Sequence, residues 1–220
     1  MLKKISILFI LLCFAACSVV KKTEIKAQKG DLTSCMSIVD LYSSSEYKQD
    51  NIIVRDKIIK YCKLGLAHGE GMYDSAFFYN KLAPRCDKKN MYLNHLKAAQ
   101  LGNEESQYIT GLYYLDGRGG KINNDSAFYW FKKILNKKES ETNYSAMASK
   151  QLGDLYEIKN DTLTGLYYYK KACACYFRKA DISACEKVIL YYKSKNIVDS
   201  TELKIYSEIA NRIKNKMSYR

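Results

Sequence analysis

The sequence predicts an all-α fold built from repeated antiparallel helix pairs, and three observations predict it. The first is the stretch from Glu105 to Leu135, ESQYITGLYYLDGRGGKINNDSAFYWFKKIL, where two segments of helical apolar period flank a Gly-rich turn. The second is recurrence of its frame: a small residue, an apolar or aromatic residue four later, and a Leu/Tyr pair seven and eight later. The third is composition. A chain of 220 residues that is 47% hydrophobic and holds a single Pro suits one compact body and argues against long disordered linkers.

Taken in order, residues 1–17, MLKKISILFILLCFAAC, carry Lys3 and Lys4 and then an apolar core, which is the layout of a secretory signal. The run from Ile5 to Cys17 is shorter than the roughly 20 residues that span a bilayer, so cleavage is expected rather than a retained transmembrane helix. Small residues just before Cys17 resemble the bacterial lipobox, although Phe14 stands where Leu is usual. That resemblance implies a lipid on Cys17 and an envelope lipoprotein; ordinary signal cleavage nearby stays open as the alternative. By resemblance to enterobacterial sorting, Ser18 after the Cys favours the outer membrane. Residues 18–30, SVVKKTEIKAQKG, are polar and basic without a clear apolar period and read as a tether.

Residues 31–220 then form the repeat domain. Five copies of the frame start at Ser34, Ser75, Ser106, Ala148 and Ala184. Each has a second helix, over about Asp56 to His68, Asn90 to Leu101, Asp125 to Asn136, Leu163 to Cys175 and Glu202 to Ile213. The spacing is that of helical-pair repeats with variable turns. Within the central copy, Ser106, Thr110, Tyr113 and Tyr114 share a packing face, Gly111 permits close approach, and Gly117, Gly119 and Gly120 form the connection. Asp125 reads as the N-cap of the following helix.

Three passages carry a family resemblance: QYITGLYYLDGRG with AFYWFKKIL, ASKQLGDLY with GLYYYKKAC, and HLKAAQLG. They resemble the Sel-one-like repeats, a subclass of tetratricopeptide-type hairpins, over about Asp31 to Lys216. The resemblance implies a right-handed α-solenoid of about five helix pairs. The second first-helix departs from the pattern, with Ala83 in place of the expected Tyr and Pro84 after it.

The formal net charge is +13, yet the lysines are spread over every helix and no nucleic-acid-binding motif is present, so nucleic acid is not an expected partner. Lys193 to Arg220 reads as a basic, solvated cap. Outside the leader and Cys17, six cysteines remain: Cys35, Cys62, Cys86, Cys173, Cys175 and Cys185. In an oxidising compartment, disulfides are expected. Resemblance to the secreted cysteine-rich branch of the family implies a bridge from a second helix to the next first helix, here Cys173 to Cys185, with Cys175 as competitor. Cys62 with Cys35 or Cys86 is the weaker pairing. Zinc at Cys173, Cys175 and Cys185 is disfavoured, because thiols two residues apart on a helix point about 200° apart. No metal or cofactor is expected.

His68 falls in the last turn of a second helix and His95 among polar neighbours, and both read as surface residues. Gly117-Arg118-Gly119-Gly120-Lys121 lacks P-loop spacing and reads as a turn. Asp154 and Glu157 read as solvated carboxylates, and the run Tyr167-Tyr168-Tyr169 as packing residues of which only some face the core.

In helical-hairpin arrays the first helices line the concave side. The residues between packing positions are Met36, Asp40, Phe77, Lys81, Tyr108, Leu112, Leu115, Lys150, Asp154, Glu157, Glu186, Leu190 and Lys193. Apolar anchors flanked by charges suit a protein or peptide segment, in the periplasm or at the cell surface. The reading is therefore a non-enzymatic, lipid-anchored interaction scaffold. Two alternatives stand beside it: an immunity or inhibitor lipoprotein against a toxin, and a β-lactam or cell-wall hydrolase. The last is an activity attributed to the cysteine-rich branch, and no Ser/His constellation in the sequence supports it.

Overall fold

The computed structural model describes residues 18–44, 51–69, 71–136, 142–174, 182–197 and 200–218. The leader with Cys17, and Cys175, lie outside the described residues. The elements are helical throughout: α1 (18–28), α2 (Leu32–Ser43), α3 (Ile52–His68), α4 (Met72–Leu82), α5 (Lys88–Gln100), α6 (Glu104–Asp116), α7 (Asn124–Leu135), α8 (Asn143–Ile158), α9 (Thr162–Ala174), α10 (Ile182–Ser194) and α11 (Thr201–Ser218). Among the described residues there is no strand. The chain forms two compact units, Met1–Ser106 and Gln107–Arg220.

In the first unit α2, α3, α4 and α5 pack in succession, and α2 also touches α4, which is the stacking of an α-solenoid. Its core joins Ile38, Val39, Ile58, Tyr61 and Phe78 with Cys35 and Cys62. In the second unit the succession runs through α7, α8, α9, α10 and α11, with α9 touching α11. Its interior is built from Phe131, Ile134, Leu152 and Leu155, then Tyr169, Val188 and Leu203.

Polar caps start these helices where the chain turns. Asp31, Asn51, Asp87, Thr142 and Ser200 each accept a backbone N–H from the first turn of the next helix. The α7 cap is Asn123, which accepts from Ser126 N at 2.9 Å, and not Asp125 as the sequence suggested. Asp125 lies in the first turn of α7, where its charge favours the helix N-terminus and pairs with Lys159 at 3.3 Å.

The repeat starts Ser34, Ser106, Ala148 and Ala184 are buried, because a small side chain there lets adjacent helices approach. Five positions further along, Gly111 and Gly153 each take an aromatic ring from the second helix of the pair. A Cβ at Gly111 would lie 2.5 Å from Phe131, and one at Gly153 2.5 Å from Tyr169. In the second copy Pro84 shortens α4 and the chain continues as a 3-10 turn, Ala83–Arg85. Ala83 is fully buried, and Arg85 ties the turn down through Lys81 O at 2.7 Å and Ser43 Oγ at 3.3 Å.

Residues 18–30 are not a tether in this structure. Residues 18–28 are helical and pack onto α2 and α3: Ala27 is buried, its carbonyl accepts from the Cys35 thiol at 3.5 Å, and Val20 packs on the core. Glu24 closes the contact, accepting from Lys57 at 2.9 Å and from the Tyr42 hydroxyl at 2.8 Å.

Candidate binding surface

The expected groove residues divide into those the fold consumes and those it leaves accessible. Tyr108 is consumed. It is buried among Phe131, at 5.8 Å between ring centroids, and Tyr144, at 6.2 Å, so it belongs to the core and not to a partner surface. Leu112 and Leu115 are half-buried against the same core. In the first unit Met36 and Phe77 are half-buried, and beside them Lys81 lies over the Phe77 ring and pairs with Asp40 at 2.8 Å. Asp40 and Lys81 occupy the same position in consecutive first helices, so this pair links neighbouring repeats.

In the second unit Asp154 and Glu157 are not simply solvated. Asp154 pairs with Lys150 at 2.7 Å and accepts from the Tyr169 hydroxyl at 2.8 Å, while Glu157 pairs with Lys187 at 2.7 Å. Burial, and then the Asp154 carboxylate, hold the Tyr169 phenol above its usual range.

The last copy differs. Glu186, Leu190 and Lys193, three of the expected groove residues, line an open cleft of about 330 Å³ together with Ile189 on α10 and Ser207, Ala210, Asn211 and Lys214 on α11. Leu190 is 63% exposed, whereas Ala210 is buried in the cleft floor. Glu186 pairs with Lys214 at 3.1 Å across the opening. The cleft thus presents apolar surface with a cationic margin from Lys193 and Lys214 and one acidic side chain.

Cys173 and Cys185 are bonded, joining α9 to α10 beneath this region, with Cα atoms 5.0 Å apart. Cys35, Cys62 and Cys86 are thiols grouped around the core of the first unit. Burial pushes the Cys62 thiol up to about 12 and also raises Cys35 and Cys86, so none of the three is an activated nucleophile.

His95 is not at the surface. It is buried in α5, and its Nδ1 lies 3.3 Å from Ser106 Oγ. Ser106 Oγ donates to Asn80 Oδ1 at 2.8 Å, so its lone pair faces the imidazole and Nδ1 carries the proton donated to it. Asn80 Nδ2 in turn donates to Glu105 at 2.9 Å. A Ser–His contact with these directions cannot activate the hydroxyl, and Ser106 is fully buried. The sequence did contain the signal: aligned on HLKAAQLG, His95 takes the place of Phe131 and Tyr169, and Asn80 takes the place of Gly111 and Gly153. His68 ends α3 as expected and is exposed. The Gly117–Gly120 segment is a turn, with Gly120 N bonded to Gly117 O at 2.9 Å and positive φ at both glycines.

No protein-family model matches the chain, and no curated protein matches it significantly. Among solved structures it is similar to a protective antigen present in uropathogenic Escherichia coli strains, whose crystal structure is described as displaying an SLR fold. The TM-score is 0.59 at 16% sequence identity, over 90% of this chain and 40% of that one. The chain spans less than half the length of that structure. The fold is accordingly an all-α solenoid of Sel-one-like repeat type.

Proposed function

We propose that this chain is a non-enzymatic scaffold of the bacterial envelope, anchored to the membrane through a lipid on Cys17, that captures a protein or peptide segment. The terminal cleft is the observation that carries the binding part of this reading. In earlier copies the residues at equivalent positions are tied into pairs, as with Asp40 to Lys81 and Lys150 to Asp154, or are wholly or partly buried, like Tyr108 and Leu112. In the last copy Glu186 is likewise paired, with Lys214. At Leu190 apolar surface stays exposed beside a basic margin. A segment with one aliphatic side chain and acidic neighbours matches that pattern in shape and charge. Support for the anchor comes from the leader, MLKKISILFILLCFAAC. Among the described residues no helix is long and apolar enough to cross a membrane. The sealed Ser106–His95 contact favours the scaffold over a hydrolase.

The test is fluorescence anisotropy with labelled peptides in which one leucine is flanked by glutamates or, as control, by lysines. The acidic peptide is expected to bind, and Leu190→Asp with Lys193→Glu to weaken binding by at least about tenfold, or ~1.4 kcal/mol, at unchanged helical circular dichroism. Equal binding of both peptides, or indifference to the two substitutions, removes the cleft as the binding site.

A further inference from the structure

The first unit carries an edge suited to an anionic membrane surface, and this edge coincides with the end of the chain that would bear the lipid. Helices joined by short turns alternate in direction. The first described residues of α1, the end of α2, the start of α3 and the α4–α5 turn therefore fall on one edge. Side-chain contacts confirm the placement. Arg85 of the α4–α5 turn reaches Ser43 Oγ at the end of α2, and Arg55 in the first turn of α3 donates to Arg85 O at 2.9 Å. Glu24 of α1 contacts both Tyr42 and Lys57. Ser18, the residue after Cys17, is the first described residue of α1 and lies at this same edge.

This edge exposes Ile52 and Ile53, 69% and 65% exposed, and Val19. Ile52 and Ile53 lie in the first turn of α3, and nothing in the packing of the unit calls for these three aliphatic side chains at the surface. Around them are the exposed cations Lys21, Lys22, Arg55, Lys88 and Lys89. The acidic residues among the described ones here are Glu24, Asp40, Asp56 and Asp87; Glu24 is paired with Lys57, Asp40 with Lys81, and Asp87 is engaged in capping α5. Lysines near an anionic surface gain Coulomb attraction that salt screens, and short aliphatic side chains can enter the head-group boundary. At the opposite edge Lys26 and Lys29 are also exposed, with Ile25 46% exposed beside them and Met72 and Tyr73 exposed at the start of α4, but that edge lies away from Ser18.

We propose that Val19, Ile52 and Ile53, with Lys21, Lys22, Lys88 and Lys89, form a docking edge that lays the first unit against a bilayer containing anionic lipid. The proposal rests on the anchored reading above and adds an orientation to it: the unit lies on the leaflet instead of hanging from its lipid.

The experiment is lysine acetylation of the full chain, isolated from membranes and placed in nanodiscs of phosphatidylcholine alone or mixed with phosphatidylglycerol, with rates read by mass spectrometry. Lys21, Lys22, Lys88 and Lys89 are expected to react about threefold or more slowly in the anionic discs, with Lys26 and Lys29 unchanged. The difference should vanish in roughly 1 M salt, where the Debye length is about 3 Å, and in Ile52→Asp with Ile53→Asp. Equal rates in the two discs overturn the proposal, as does slowing in both, which reports only nearness to the tethering lipid. Slowing that requires added envelope protein also overturns it, because the occupant is then a protein. The lipid is read from the N-terminal peptide of the same digests. If Cys17 carries none, the anchored reading fails by itself, and the same rates measured on full chain added to vesicles of the two compositions still decide the edge.

Discussion

His95 sits where the neighbouring repeats place an aromatic ring, and that location sets its protonation. Burial pushes its pKa down to about 4, opposed by the nearby Glu105 carboxylate. Its contact with Ser106 is made by the neutral, Nδ1-protonated ring. In the unfolded chain the same side chain titrates near 6.5, so between those values the unfolded state binds more protons. Stability from this site is complete above pH ~6.5 and is lost as pH falls toward 4, a loss of roughly 2–3 kcal/mol. Urea unfolding at several pH values should show that loss, and His95→Gln, which cannot titrate, should retain less than half of it. Parallel pH profiles for the two proteins would mean that His95 is not held neutral by the fold. A lone histidine among Asn94, Leu96 and Lys97 gives no apolar period, and only the register against AFYWFKKIL and GLYYYKKAC marks it as interior.

At the scale of the helix pair, the contact that recurs is a ring of the second helix seated on a glycine of the first. Exposed glycine in a helix usually costs about 1 kcal/mol relative to alanine, so Gly→Ala would ordinarily stabilise. At Gly153 the sign reverses, because the new methyl would meet Tyr169 at 2.5 Å and displace a ring whose hydroxyl is bonded to Asp154. Gly153→Ala should therefore destabilise by about 1–3 kcal/mol in a denaturant titration, and a neutral or stabilising result would show that the ring can move aside freely. The helix pairs themselves were legible from sequence because a small residue and the Leu/Tyr positions repeat in phase with the helical period. The helix over 18–28 was not. Val20 and Ala27 are its inward apolar anchors, too sparse for a periodic signal, and the rest of its attachment is polar, through Glu24. The cleft was half legible: α10 supplied Glu186, Leu190 and Lys193, whereas α11, read as the second helix of the last pair within a basic cap, was assigned no binding residues.

At the scale of the whole molecule, a stacked array derives its stability mostly from contacts between nearest neighbours, so a local lesion should stay local. The disulfide offers a test of that within the second unit. Cys173 and Cys185 tie α9 to α10 and stand against Ala210 of α11, with Ile189, Tyr206, Ile209 and Ile213 packed around them. Closing a loop of this size stabilises by roughly 3 kcal/mol, through restriction of the unfolded chain. In Cys173→Ser with Cys185→Ser that contribution disappears, and two hydroxyls enter an apolar contact that offers them few partners. Hydrogen exchange should then show α10 and α11 opening more readily, while α7, held by Phe131 and Ile134 in a separate cluster, keeps its protection. Uniform loss from α7 to α11 would mean that the unit unfolds as one cooperative body. The terminal cleft would then depend on every hairpin in that unit, and peptide binding should fall in proportion to global stability and not to the integrity of α10 and α11 alone.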